Sequence, residues 1–146
     1  MIVVDATDQI LGRMASLIAK RLLDGETVAV VNPEKALVTG NPTTTYARYK
    51  TKYNLRRLAN PNKGPFFPRM PDRIVSRTVR GMLPFSKPRG KAAYRLLRVY
   101  RGVPDSLKDA PLSRFQEAGV DRLGREKYTT VGEISLALGV KKEAVY

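Results

Sequence analysis

The run Thr27–Val31, read T-V-A-V-V, shows no polar alternation and is largely β-branched. A strand of that composition is buried on both faces, so the rest of the chain must cover a sheet from two sides. What surrounds the run supplies the means. Ile2–Val4 is a short apolar stretch followed by Asp5-Ala6-Thr7-Asp8, which reads as strand, turn and helix cap. Leu11, Met14, Ala15, Ile18 and Leu22 then recur at helical spacing, and Gly25 closes that helix. After a turn at Pro33-Glu34-Lys35, Ala36–Thr39 reads as another short strand ending at Gly40. A strand–helix–strand opening followed by a third strand predicts an α/β fold with a largely parallel sheet. At 146 residues, 1–146 is expected to form one domain.

Charge is segregated rather than spread. From Tyr46 to Arg101 the chain holds 16 of its 27 Lys and Arg residues but one of its 13 acidic ones, Asp72. The remainder carries 11 basic against 12 acidic residues, so the whole net charge of +14 resides in the segment 46–101. Such a segment calls for a polyanion, of which nucleic acid is the commonest.

Within it, Arg73–Met82 has the pattern of an amphipathic helix. Arg73, Arg77 and Arg80 fall on one side, Val75, Val79 and Met82 on the other, with Ile74 and Thr78 between. Asp72 is the expected N-cap behind Pro71, and Gly81 and Pro84 end the helix. After a turn over Pro84–Gly90, Lys91, Arg95 and Arg98 repeat the i, i+4, i+7 spacing, with Ala93, Leu96, Leu97 and Tyr100 opposite. A solvated charged face is the ordinary reading of one such helix. Two successive rows without an acidic residue point instead to a fixed surface for a polyanion.

Upstream, Thr43–Arg57 reads as a helix with Tyr46, Tyr49 and Tyr53 on one face. The rings are expected to pack the helix onto the sheet, and the charges around them to meet RNA. Between the two helices, residues Asn60–Pro71 contain four prolines and a glycine, which excludes regular structure and predicts a stiff, extended arm. Phe66 and Phe67 sit on it and need cover. The RNA-facing candidates are therefore Arg48, Lys50, Lys52, Arg56 and Arg57 on the tyrosine helix, and Lys63 and Arg69 on the arm. Arg73, Arg77 and Arg80 follow on the first basic helix, and Lys87, Arg89, Lys91, Arg95 and Arg98 on the turn and second row. Arg outnumbers Lys in the rows, which suits bidentate phosphate contacts.

Other chemistries find little support. The sequence has no Cys and no His, which removes thiolate nucleophiles, His-based acid–base catalysis and the common zinc ligand sets. Gly12 alone does not make a dinucleotide fingerprint, and Gly90-Lys91 fails as a phosphate loop because Ala92 follows and Phe85 holds the upstream glycine position. Asp5 and Asp8 are explained by caps and turns rather than metal chemistry, and no metal or other cofactor is expected. The N-terminus lacks a basic region and a long apolar run, and no stretch approaches the ~20 apolar residues of a membrane span, so a soluble intracellular protein is expected. Membrane-surface binding is disfavoured because the apolar faces of the basic helices read as core.

Towards the C-terminus, Val99–Arg101 reads as a final strand, and Gly102–Lys127 is turn-rich with mixed charge. Thr130-Val131-Gly132-Glu133 matches a capping box and opens a short helix carrying Val131, Ile134 and Leu138, closed by Gly139. The tail beyond carries only weak basicity.

The segments R-T-V-R-G-M-L-P (Arg77–Pro84), K-P-R-G-K-A-A (Lys87–Ala93) and R-V-Y-R-G (Arg98–Gly102) resemble the universal large-subunit ribosomal protein thirteen family. V-V-D-A-T-D-Q-I-L-G-R-M-A-S (Val3–Ser16), G-E-T-V-A-V-V-N (Gly25–Asn32) and V-G-E-I-S (Val131–Ser135) are similar to its archaeal branch. The resemblance implies a three-layer α/β/α domain around a central four-stranded sheet. It also implies a structural, non-catalytic role in the cytoplasmic ribosome, bound to large-subunit rRNA beside neighbouring ribosomal proteins, with no small-molecule substrate. The competing expectation is an architectural protein of other structured RNA or of DNA, separable by whether binding requires the 2′-hydroxyl.

Overall fold

The computed structural model describes residues 1–124 and 127–146. Its centre is a four-stranded sheet. β1 (Ile2–Asp5) pairs in parallel with β2 (Val28–Val31), and β2 in turn with β4 (Leu97–Tyr100). A short β5 (Leu112–Ser113) joins the other side of β1, giving the order β4-β2-β1-β5. All four residues of β2 are buried, as its unbroken apolar run requires. β5 lies in the turn-rich stretch, whose two-residue strand has no periodicity to read.

Parallel register sorts the side chains into two layers. Val4, Val28, Val30 and Leu97 face the larger cluster, which is built on α1 (Leu11–Leu23) and α3 (Pro71–Met82). The stripe on α1 is buried as its spacing demands, with Ala19 added to it. Val3, Ala29 and Val31 face the other way, onto Leu107 and a 3-10 turn at Asp105–Leu107. The cover on this second face is thin and irregular, which suits the small Ala29 and the valines beneath it.

The third strand of the opening, β3 (Leu37–Thr39), lies outside the central sheet. It pairs antiparallel with β6 (Tyr128–Thr130), register Leu37↔Thr130. Asn32 at φ 53° and the 3-10 turn Pro33–Lys35 turn the chain off the sheet after β2. β6 leads directly into α5 (Val131–Ala137), whose capping box is fully formed. Thr130 Oγ1 accepts from the Glu133 N–H, and the Thr130 N–H donates to the Glu133 carboxylate. The tail is more structured than its composition suggests: α6 (Lys142–Val145) buries Val145 completely, and the Arg101 guanidinium donates to the Ala144 carbonyl at 2.6 Å.

One buried carboxylate ties three strands together at their carboxyl ends. Asp5, at the end of β1, accepts from Asn32 beyond β2 at 3.0 Å, from the Thr7 hydroxyl at 2.7 Å and from Arg114 beyond β5 at 2.9 and 2.5 Å. Burial alone would raise its pKa. The hydrogen bonds from Asn32, Thr7 and Arg114 outweigh it and lower the pKa from 3.8 to about 2. Because the folded value lies below the unfolded one, the ionised group stabilises the fold fully above about pH 4, and the contribution fades as pH falls through about 2. Asp5→Asn is therefore expected to cost about 2 kcal/mol near neutral pH. The difference from the parent in urea unfolding should narrow below about pH 4; a gap that stays constant into acid would contradict this role.

Candidate nucleic-acid interface

The basic third is laid over the core by three helices and a loop. α2 (Pro42–Asn54) is capped by Asn41, whose side chain accepts from the Thr43 N–H. Its tyrosines Tyr46, Tyr49 and Tyr53 are half-buried against the main cluster, so the packing reading of the rings holds. Burial raises the phenols of Tyr46 and Tyr49 above the ordinary 10.0. Arg48, Lys50 and Lys52 are exposed on this helix, while Arg56 and Arg57 stand beyond its end, also exposed. Residues 55–70 carry no helix or strand except a 3-10 turn at Pro61–Lys63.

On α3 the buried side chains are Pro71, Ile74, Val75 and Val79. Arg73, Arg77 and Arg80 are exposed on the other side. Two expectations need correction. Asp72 sits inside the first turn, where its charge complements the helix dipole, and the N-cap is Met70. Met82 is 41% exposed, because the helix stops there and Leu83 takes the inward position.

The second row also divides. α4 (Pro88–Arg95) carries Arg89, Lys91 and Arg95, all exposed, with Lys87 at its N-cap. The helix ends before Arg98, which lies on β4 in register with Ala29, whereas Leu97 aligns with Val28. Arg98 therefore starts from the opposite face of the sheet, and its guanidinium donates to the carbonyls of Arg95 and Leu97. The i, i+4, i+7 spacing there is a coincidence of sequence across a helix–strand junction.

Aromatic rings hold several guanidinium groups in place. Arg77 lies over Phe67 at 4.3 Å and donates to the Phe66 carbonyl; Arg80 lies over Phe85 at 4.2 Å, and Arg69 over Tyr53 at 5.5 Å. Phe85 is itself fixed edge-on by Tyr94, at 5.5 Å between centroids and 88°. A guanidinium lying against a ring keeps N–H edges for a second partner and loses less entropy when it binds one. Phe67 is thus partly covered, while Phe66 remains 70% exposed.

All fifteen candidate residues are exposed. Among the described residues the ion pairs are Arg21–Glu26, Lys108–Asp105 and Arg114–Asp5, so none of the fifteen meets a carboxylate. Clefts bring some of them together. Lys52 and Arg77 flank one, Arg73, Arg77 and Arg80 another, and Arg56, Arg69 and Arg73 a third. The third also includes Lys141, a cation the sequence reading passed over because only the weak basicity of the tail hinted at it. Arg48, Lys50, Arg57, Lys63, Lys87, Arg89, Lys91, Arg95 and Arg98 line none of the three. Among the described residues, no three acidic side chains stand together as a metal site, and no helix is long and apolar enough to cross a membrane.

An α/β core carrying many exposed cations that meet no carboxylate among the described residues presents a strongly positive surface. The family model for ribosomal protein L13 matches residues 1–106. Large ribosomal subunit protein uL13 of Archaeoglobus fulgidus is 47% identical over 140 residues, covering 95% of this chain and 88% of the relative. The proteins of the same name from Methanococcoides burtonii and Sulfurisphaera tokodaii are 45% and 46% identical, covering 97% and 95% of this chain and 99% and 94% of theirs. The chain belongs to the ribosomal protein L13 family, and these relatives place it with the archaeal members.

Proposed function

We propose that the protein is a structural, non-catalytic constituent of the large ribosomal subunit in the cytoplasm, where it binds large-subunit rRNA and touches neighbouring ribosomal proteins. The observation that carries this reading is the set of fifteen exposed cations that meet no carboxylate among the described residues, carried on a packed core within a chain of this family. The core supplies rigidity. The arginines of α3 and the basic residues of α2, α4 and the arm between them meet phosphates of different strands and fix their relative geometry. Each neutralised phosphate releases counterions, so binding weakens by roughly 0.7–0.9 log units per contact for each log unit of salt. Selectivity comes mainly from RNA shape, because the A-form major groove is too narrow for side chains to read bases.

The test is sedimentation of a native cell extract on a sucrose gradient before and after a high-salt wash, with the protein followed by mass spectrometry. Retention with the large subunit through the wash is the expected result. Recovery only at the top of the gradient at low salt would break the ribosomal reading and leave the basic third to another polyanion.

A further inference from the structure

The loop at residues 55–70 does more than carry charge. Between it, α3 and the start of the C-terminal tail lies an open groove of about 810 Å³. Arg56, Arg69, Arg73 and Lys141 line it, and among the described residues no carboxylate does. Aromatic side chains are interleaved with them. Tyr53 is engaged by Arg69, and Phe66 stands at the groove 70% exposed, with its ring committed to no other aromatic among the described residues.

Cations beside an uncovered aromatic ring in a concavity differ from the exposed cations of α4, which line none of the clefts described above. A paired A-form helix is too wide to enter a groove of this volume, so its phosphates are met by the exposed rows. A single splayed-out nucleotide fits, since clefts of about 300–1,000 Å³ are the size that takes small ligands. Its base finds a stacking surface and its flanking phosphates find guanidinium groups, the combination by which unpaired nucleic acid is held. An acidic peptide would satisfy the cations but would leave Phe66 without purpose.

We infer that this groove holds an unpaired nucleotide of the bound RNA, stacked on Phe66 with its phosphates on Arg56, Arg69, Arg73 and Lys141. The inference rests on the RNA-binding reading above and adds which structural element of the RNA the arm takes. It gives the exposed phenylalanine a partner, and it makes the C-terminal tail part of the interface through Lys141.

The experiment uses the full chain and two RNA probes: a blunt duplex, and the same duplex with an unpaired internal loop carrying 2-aminopurine. The parent protein is expected to bind the looped probe more tightly and to quench the 2-aminopurine. Phe66→Ala, a change at an exposed position, is expected to weaken the looped probe by about fivefold or more and to abolish the quenching. Its affinity for the blunt duplex should stay within about twofold of the parent's, because the phosphate contacts remain. Lys141→Gln should weaken the looped probe selectively as well. Equal parental affinity for the two probes, or an equal loss on both with Phe66→Ala, overturns the inference and leaves duplex binding intact. Failure of the parent to bind either probe overturns the RNA-binding reading along with it.

Discussion

Gly90→Ala is expected to destabilise the protein by about 2–4 kcal/mol, a fall in melting temperature of roughly 6–15 °C. Alanine ordinarily strengthens a helix by nearly 1 kcal/mol over glycine, so the sign is the point. A Cβ at Gly90, in the first turns of α4, would lie 2.1 Å from the Pro84 carbonyl oxygen, 2.4 Å from its carbon and 2.9 Å from the Phe85 nitrogen. These are backbone atoms of a tight turn, in which the Pro84 carbonyl also accepts from the Lys87 N–H at 2.9 Å. The turn cannot yield without moving Phe85, and Phe85 carries Arg80 on its face and Tyr94 at its edge. RNA affinity should therefore fall with stability. Gly81→Ala is the matched control: nothing lies within 4 Å of its Cβ position, and the change should be neutral or slightly stabilising. Thermal unfolding of the two variants decides the matter, and a Gly90→Ala protein that melts with the parent would refute the account.

That example marks what a sequence discloses. Residues buried by periodicity were legible: the stripe of α1, the doubly covered β2 and the capping box of α5 all stand where their spacing puts them. So was the gathering of charge, because exposure of Arg and Lys without acidic neighbours follows from composition. Gly90 was readable only as a turn residue, since its role depends on a carbonyl six residues away folding back onto α4. Arg98 misled because a helical period continues by chance across the junction into β4, and only the register with Ala29 shows the reversal. Asp72 misled because proline takes the first helical position, which starts α3 at Pro71 and puts the N-cap on Met70. β5, Lys141 and the tethering of the tail depend on contacts between distant segments, for which no local signal exists.

The double substitution Arg73→Gln with Arg80→Gln is expected to lower affinity for large-subunit rRNA by roughly 10- to 100-fold at moderate salt. Two charge-assisted hydrogen-bonding groups are lost, each worth about 1.5–3 kcal/mol before solvent screening at an exposed surface reduces it. Arg77 is left in place on purpose: it donates to the Phe66 carbonyl and lies over Phe67, so its removal would release the loop at residues 55–70 and mix two effects. Arg73 and Arg80 have no hydrogen-bonded partner among the described residues, and both are exposed; Arg80 gives up only its contact with the Phe85 ring, worth about 0.5–1 kcal/mol at an exposed site, so the melting temperature should fall by a few degrees at most. The sharper readout is salt dependence. If both side chains neutralise phosphates, the slope of log affinity against log salt becomes shallower by roughly 1.4–1.8. A slope equal to the parent's, with affinity reduced, would mean that the substitutions act through shape rather than charge. An unchanged affinity would remove α3 from the interface and leave the arm and α4 to carry it.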